Sequence, residues 1–209
     1  MDQTTYPVTF GVDYPDRPLD RVSTLVRIVV AIPILILLGT VSGSTWQWTS
    51  DSGATSTAGA GGLLFAGPLL MILFRRKYPR WWFDWNLELQ RFTNRVGVYI
   101  ALMDDRYPST DEQQAVHLDY RYPDVERELS RWLPLVKWFL AVPHYVVLVI
   151  LWIGVVFAVI AAWFAILVTG RYPRSIFGFV EGVFRWSNRV TGYAFTLVTD
   201  RYPPFSMEP

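Results

Sequence analysis

Apolar residues fall in four runs, separated by segments of a different rhythm. The first covers 22–43, broken by Arg27, and the second 58–74; from 138 to 169 there are 32 consecutive residues without a charge. A helix needs about 20 residues to cross a bilayer. Thirty-two residues exceed one straight span and fall short of two. With the amphipathic lead-in from Trp132, however, 39 residues extend to Gly170, enough for a tight helical hairpin turning at Trp152-Ile153-Gly154. Spans three and four are therefore expected at 132–151 and 154–170. The competing reading is a pair of hairpins that dip into one leaflet and return.

Around these runs the period changes. Val8, Phe10 and Val12 alternate with Thr9, Gly11 and Asp13, the pattern of a half-buried strand. Residues 81–94 read as an amphipathic helix: Asp84, Glu88, Arg91 and Arg95 share one face, and Trp81, Trp85, Leu89 and Phe92 another. Residues 175–188 repeat the theme, with Glu181, Arg185 and Asn188 beside Phe177, Val183, Phe184 and Trp186. Asn tolerates the left-handed conformation of a helix C-cap, so Asn94 and Asn188 are expected to close these helices. Val96, Val98, Ile100 and Leu102 then alternate, giving expected strands at 95–103 and 189–199. The fold class expected is an integral membrane protein, mainly α. It has four transmembrane helices in two tandem parallel repeats, juxtamembrane amphipathic helices and a small cytoplasmic four-stranded β-sheet.

The repeat rests on aligned residues. Val8–Pro15 aligns with Val116–Pro123, and Ala31-Ile-Pro33 with Ala141-Val-Pro143. KYPR at 77–80 aligns with RYPR at 171–174, the NRV at 94–96 with that at 188–190, and DRYP at 105–108 with that at 200–203. The offset falls from 110 to 94 across the first hairpin, because the first copy has a loop about 16 residues longer. The copies are 6–108 and 116–203, joined by the polar linker 109–115. Two spans per copy set both copies the same way up, unlike the inverted repeats of many secondary transporters.

Charge placement orients the spans. Residues 44–57 contain no Lys or Arg, and the turn expected at 152–154 is uncharged. All 19 basic residues then lie on the other side or at helix ends near it, which places both termini in the cytoplasm of an inner (plasma) membrane. Arg27 and Lys137 sit in the first turns of spans one and three, with stems long enough to snorkel to that interface. Asp2, Asp13, Asp16 and Asp20 ahead of the first run do not suit a signal peptide's basic leader.

The paired copies ending in NRV and DRYP, with KYPR or RYPR after the second span, resemble a bacterial family of uncharacterised membrane proteins. That family is classed as a domain of unknown function and is frequent in actinobacteria. The resemblance implies a multi-span inner-membrane protein and brings no catalytic residues with it.

Candidate chemistry is sparse. The net charge of +1 offers no basic field for nucleic acid, and the absence of Cys excludes disulfides, thiol catalysis and thiolate metal sites. No nucleophile motif or metal-ligand spacing is present, so neither cofactor, metal site nor enzymatic activity is expected. His144 is the one histidine within a span, and its counterpart is Ile34. Arg80, Arg91, Arg95, Arg174, Arg185 and Arg189, with Trp81, Trp82, Trp85 and Trp186, are candidates to hold anionic headgroups or a partner. Tyr78, Pro79, Asp105, Arg106, Tyr107, Tyr172, Pro173, Asp200, Arg201 and Tyr202, with Asn94 and Asn188, form structural boxes. The expected function is a non-catalytic membrane scaffold or accessory subunit that organises lipid, a membrane-protein partner or a second copy at the cytoplasmic face. The alternatives are an anionic-lipid-binding or lipid-transfer component and an oligomeric channel.

Overall fold

A computed structural model describes residues 6–42, 46–49, 55–58, 61–110, 112 and 114–209. The alternating segments Val8–Val12 (β1) and Val116–Tyr120 (β4) pair antiparallel, with Phe10 opposite Leu118 at the centre. Val8, Phe10, Val12, Leu118 and Tyr120 are buried while Thr9, Asp13, His117 and Asp119 face out, as a period of two dictates. Between them lie α1 (Arg21–Ser42), a hairpin of β2 (Trp46–Thr49) and β3 (Thr55–Ala58), α2 (Gly61–Leu70) with a π-helical turn Met71–Arg75, and α3 (Arg80–Ile100). After β4 follow the single turn α4 (Val125–Glu128), α5 (Pro134–Leu140), α6 (Val142–Thr169) and α7 (Arg174–Ala194).

The elements stack in three layers. The β1–β4 ribbon is one face. Helices α3 and α7 form the middle layer, α7 against β1 and α3 against β4. Helices α1 and α6 lie on the far side, α1 on α3 and α6 on α7, and touch one another where Trp163 donates to the Thr24 carbonyl (3.2 Å). The largest buried cluster fills the space between ribbon, α3 and α7, around Phe10, Leu118, Val180, Val183 and Phe184.

Several expectations need correction. Two helices are long and apolar enough to cross a membrane, Arg21–Thr40 and Val142–Thr169, with a shorter apolar one at Ala66–Arg75; among the described residues these do not make four spans. The turn expected at 152–154 is absent, because α6 runs through it. Gly154 does not bend the chain there. It clears room for α7, since a Cβ on it would meet the Phe179 ring at 3.3 Å. The break lies earlier, at Ala141, where Pro143 has no N–H to continue the ladder from α5.

The four-stranded sheet is likewise a two-stranded ribbon, because 95–103 and 189–199 hold no strand: α3 continues to Ile100 and α7 to Ala194. Their alternation has a different cause. Val96 and Tyr99 face α1, whereas Val98, Ala101 and Leu102 face the main core. A helix buried on two sides loses its single apolar stripe, and β-branched residues then mimic a strand. Nor do Asn94 and Asn188 cap anything, since each lies within its helix.

Candidate functional site

Four tyrosines of the Tyr-Pro boxes, Tyr14, Tyr78, Tyr122 and Tyr172, join one half of the chain to the other. Tyr14 donates to the carbonyl of Tyr172 (2.5 Å), with the Arg174 guanidinium 4.6 Å above its ring and Phe177 at its edge. Tyr122 donates to the carbonyl of Tyr78 (2.5 Å), with Arg80 4.8 Å above its ring and Phe83 at its edge. Proline after each of these tyrosines holds it extended, so that its carbonyl or ring faces the other half. Burial raises the Tyr78 and Tyr172 phenols well above their ordinary pKa; Tyr78 remains a neutral donor to the Thr196 carbonyl (2.8 Å).

The two DRYP boxes receive the starts of the apolar helices. Asp105 binds Arg17 and accepts from the amide of Asp20, while Asp104 takes Arg106 at 3.0 Å. Asp200 takes Lys137 at 2.7 Å and the amide of Ser130. Sequence reasoning sent Arg27 and Lys137 outward to snorkel. The structure buries both, at 2% and 0% exposure. Arg27 donates to the carbonyls of Tyr99 (3.0 Å) and Asp104 (2.6 Å) and stacks on the Tyr99 ring. Lys137 donates to the Thr199 carbonyl (2.7 Å) and stands 5.2 Å over the Tyr193 ring. Leu102 and Leu197, at φ 64° and 57°, are the left-handed residues that turn the chain back to present those carbonyls. Such a conformation costs a branched-chain residue about 1–2 kcal/mol. The signal was in the sequence: the first apolar run of the chain and the run from 138 each have one cation near their start, Arg27 and Lys137. Tyr107 and Tyr202 stay half-exposed against Tyr99 and Tyr193, and Arg201 stands over Tyr6.

Four of the arginines expected at a headgroup or partner surface point inward. Arg91 donates to the Leu118 carbonyl (2.8 Å) and Arg185 to that of Phe10 (2.9 Å). A two-stranded ribbon has two open edges, which need such donors. Arg95 holds the carbonyls of Ser109 and Thr110, and Arg189 those of Ser206 and Glu208. Trp186 is buried and donates to Nδ1 of His144 (3.0 Å), leaving that imidazole as an acceptor stacked on Phe205. Trp82 lies across Gly67, whereas Trp81 and Trp85 remain exposed.

At the centre, Asn94 and Asn188 exchange amide hydrogen bonds (2.8 and 2.7 Å). Asn94→Leu is expected to cost about 1–3 kcal/mol by stranding the other amide. The double change Asn94→Leu/Asn188→Leu should recover part of that loss. Thermal unfolding of the unchanged protein, Asn94→Leu, Asn188→Leu and the double variant checks it; strictly additive losses would show that the pair is uncoupled.

Two features lie largely outside these contacts, although Arg80 and Arg174 also stack on Tyr122 and Tyr14. The outer faces of α1 and α6 expose Ile28, Val29, Ile32, Ile36 and Val149, Ile153, Phe157, Ile160. At the helix ends Arg75, Arg76, Lys77, Arg80, Arg171 and Arg174 are exposed, and none has an ion pair among the described residues. Arg76, Lys77 and Arg80 line a groove of about 680 Å³ with Tyr122 and Asp124. Among the described residues no three metal-ligating side chains cluster.

Residues 131–207 match the family model of a domain of unknown function (DUF4389). No curated protein matches the chain, and no solved structure does.

Proposed function

We propose that the protein is a non-catalytic membrane-bound scaffold or accessory subunit, seated at the cytoplasmic face of a bacterial inner membrane and built from two tandem copies of one unit. The observation that carries this reading is the continuous apolar outer face of α1 and α6, opposite a polar ribbon. A monomer in water rarely leaves so large an apolar surface uncovered. The duplication is supported by matched pairs: Arg27 with Lys137, Tyr99 with Tyr193, Leu102 with Leu197, and Tyr14 with Tyr122, each in the same local setting. Most polar groups that could do chemistry are engaged in holding segments of the chain together, within or between the halves, which favours a structural task.

Ile153 and Phe157 lie one turn apart on the exposed face of α6. Replacing both with Arg is expected to release the protein from vesicles, since a charge among the acyl chains costs up to about 3 kcal/mol. Thr9→Arg with Asp119→Arg on the ribbon should leave binding unchanged. Vesicle flotation measures both, with circular dichroism to confirm the fold. Equal retention of both variants refutes membrane seating through α6. For the scaffold role, purification in mild detergent should retain a partner or a second copy; a strictly monomeric protein with neither argues against it.

The six exposed cations favour a second reading, anionic-lipid binding. Each contributes on the order of 1 kcal/mol near a negatively charged leaflet. Arg80→Ala with Arg174→Ala is expected to reduce co-purified anionic lipid.

A further inference from the structure

We infer that α1 and α6 lie flat in a single leaflet, outer faces in the acyl chains and the β1–β4 ribbon turned to water, rather than threading through the bilayer. This rests on the membrane reading above and adds the orientation. Helix length does not decide it; the direction in which polarity changes does. The buried stripe of α6, His144, Leu148, Val155, Ala162 and Ile166, runs the whole length of the helix. Its first half lies on α7: His144 meets Trp186, Trp152 donates to Ser187 (3.2 Å), and Gly154 faces Phe179. On its other side α7 carries β1, with Gly11 against Glu181, Phe10 against Phe184 and Val8 against Gly192. The ribbon therefore sits level with the first half of α6, between His144 and Gly154, two packing layers away, or about 20 Å. Its outer surface is polar and carries carboxylates: the side chains of Asp13, His117 and Asp119 are 68%, 62% and 73% exposed.

A transmembrane α6 would put its midpoint at the bilayer midplane and carry that polar surface into the hydrocarbon of one leaflet. Sideways displacement gives no relief in hydrocarbon, and each charge there costs several kcal/mol. Turning the molecule by a right angle removes the conflict. The apolar flank then faces the acyl chains, the ribbon stands in water, and the cations at the helix ends meet anionic headgroups. Helix α1 obeys the same geometry. Its stripe Thr24, Arg27, Ala31 and Ile34 lies on α3, which holds β4 through Arg91, while Ile28, Val29 and Ile32 point away.

The cysteine-free chain allows single-Cys probes. Val146, Ile153, Ile160 and Val168 are exposed along one line of α6, about 33 Å from first to last. Each is replaced by Cys in the full chain, labelled with a fluorophore, and bound to phosphatidylglycerol-containing vesicles whose lipids carry quenchers at graded depths. An Asp119→Cys variant reports the ribbon. The in-plane seat gives one common shallow depth for the four α6 positions, with Asp119→Cys quenched only from water. A profile with Ile153→Cys or Ile160→Cys deepest, and Val146→Cys and Val168→Cys at opposite surfaces, overturns the orientation but keeps the membrane. Absence of lipid quenching at every position overturns the membrane reading itself.

Discussion

Lys137→Ala is expected to lower stability by about 3–5 kcal/mol, the cost of breaking a buried ion pair from one side. The ammonium is fully buried at the start of α5 and holds together three things: the Asp200 carboxylate, the Thr199 carbonyl and the Tyr193 ring. Its removal strands the largely buried Asp200, whose other oxygen accepts from the Ser130 amide. The hairpin from α7 back to the DRYP box then loses its anchor. For a chain of this size the loss corresponds to a fall of about 6–20 °C in Tm. Thermal unfolding in detergent measures it. The double variant Lys137→Met/Asp200→Asn should unfold at a higher temperature than Lys137→Ala, because no charge remains uncompensated. A snorkelling lysine predicts a change within about 0.5 kcal/mol for the single variant, and that result would remove the anchor from this account.

Arg185→Ala should cost about 3 kcal/mol, since charge-assisted hydrogen bonds contribute about 1.5–3 kcal/mol each. Arg185 links three segments: it donates to the carbonyls of Phe10 and Met207 (both 2.9 Å) and pairs with Glu181. Its side chain is 11% exposed, so solvent screens these bonds little. Arg91 has the corresponding place on α3, with the Leu118 carbonyl and Glu88, but is 30% exposed. The same change there should cost less. Chemical denaturation separates the two. Co-purified anionic lipid should be unchanged in both variants at temperatures where they stay folded, in contrast to Arg80→Ala with Arg174→Ala. Lipid loss from a folded Arg185→Ala protein would return Arg185 to the headgroup surface.

Legibility followed the number of sides on which an element is covered. The ribbon strands, with one buried and one wet face, show a period of two, and Val8, Phe10 and Val12 disclose it. The outer helices, packed on one side and apolar on the other, read as long apolar runs. The helix ends at 95–100 and 189–194 are buried on two faces, so their pattern resembles a strand. At 152–154 a glycine that admits the Phe179 ring carries the same local signature as a turn. The candidate arginines show the same limit. Sequence identifies Arg91, Arg95, Arg185 and Arg189 as cations on helical faces, but whether a carbonyl or a headgroup meets them depends on what packs opposite.

The sequence alone determined where the apolar runs lie and which segments alternate with a period of two. These are local or periodic properties, carried by the order of side chains. Only the tertiary structure decided that Tyr14 and Tyr122 each bridge to the other half and that Arg27 and Lys137 are buried anchors. Each of those depends on contacts between residues far apart in the chain, and a one-dimensional pattern does not encode which surfaces meet.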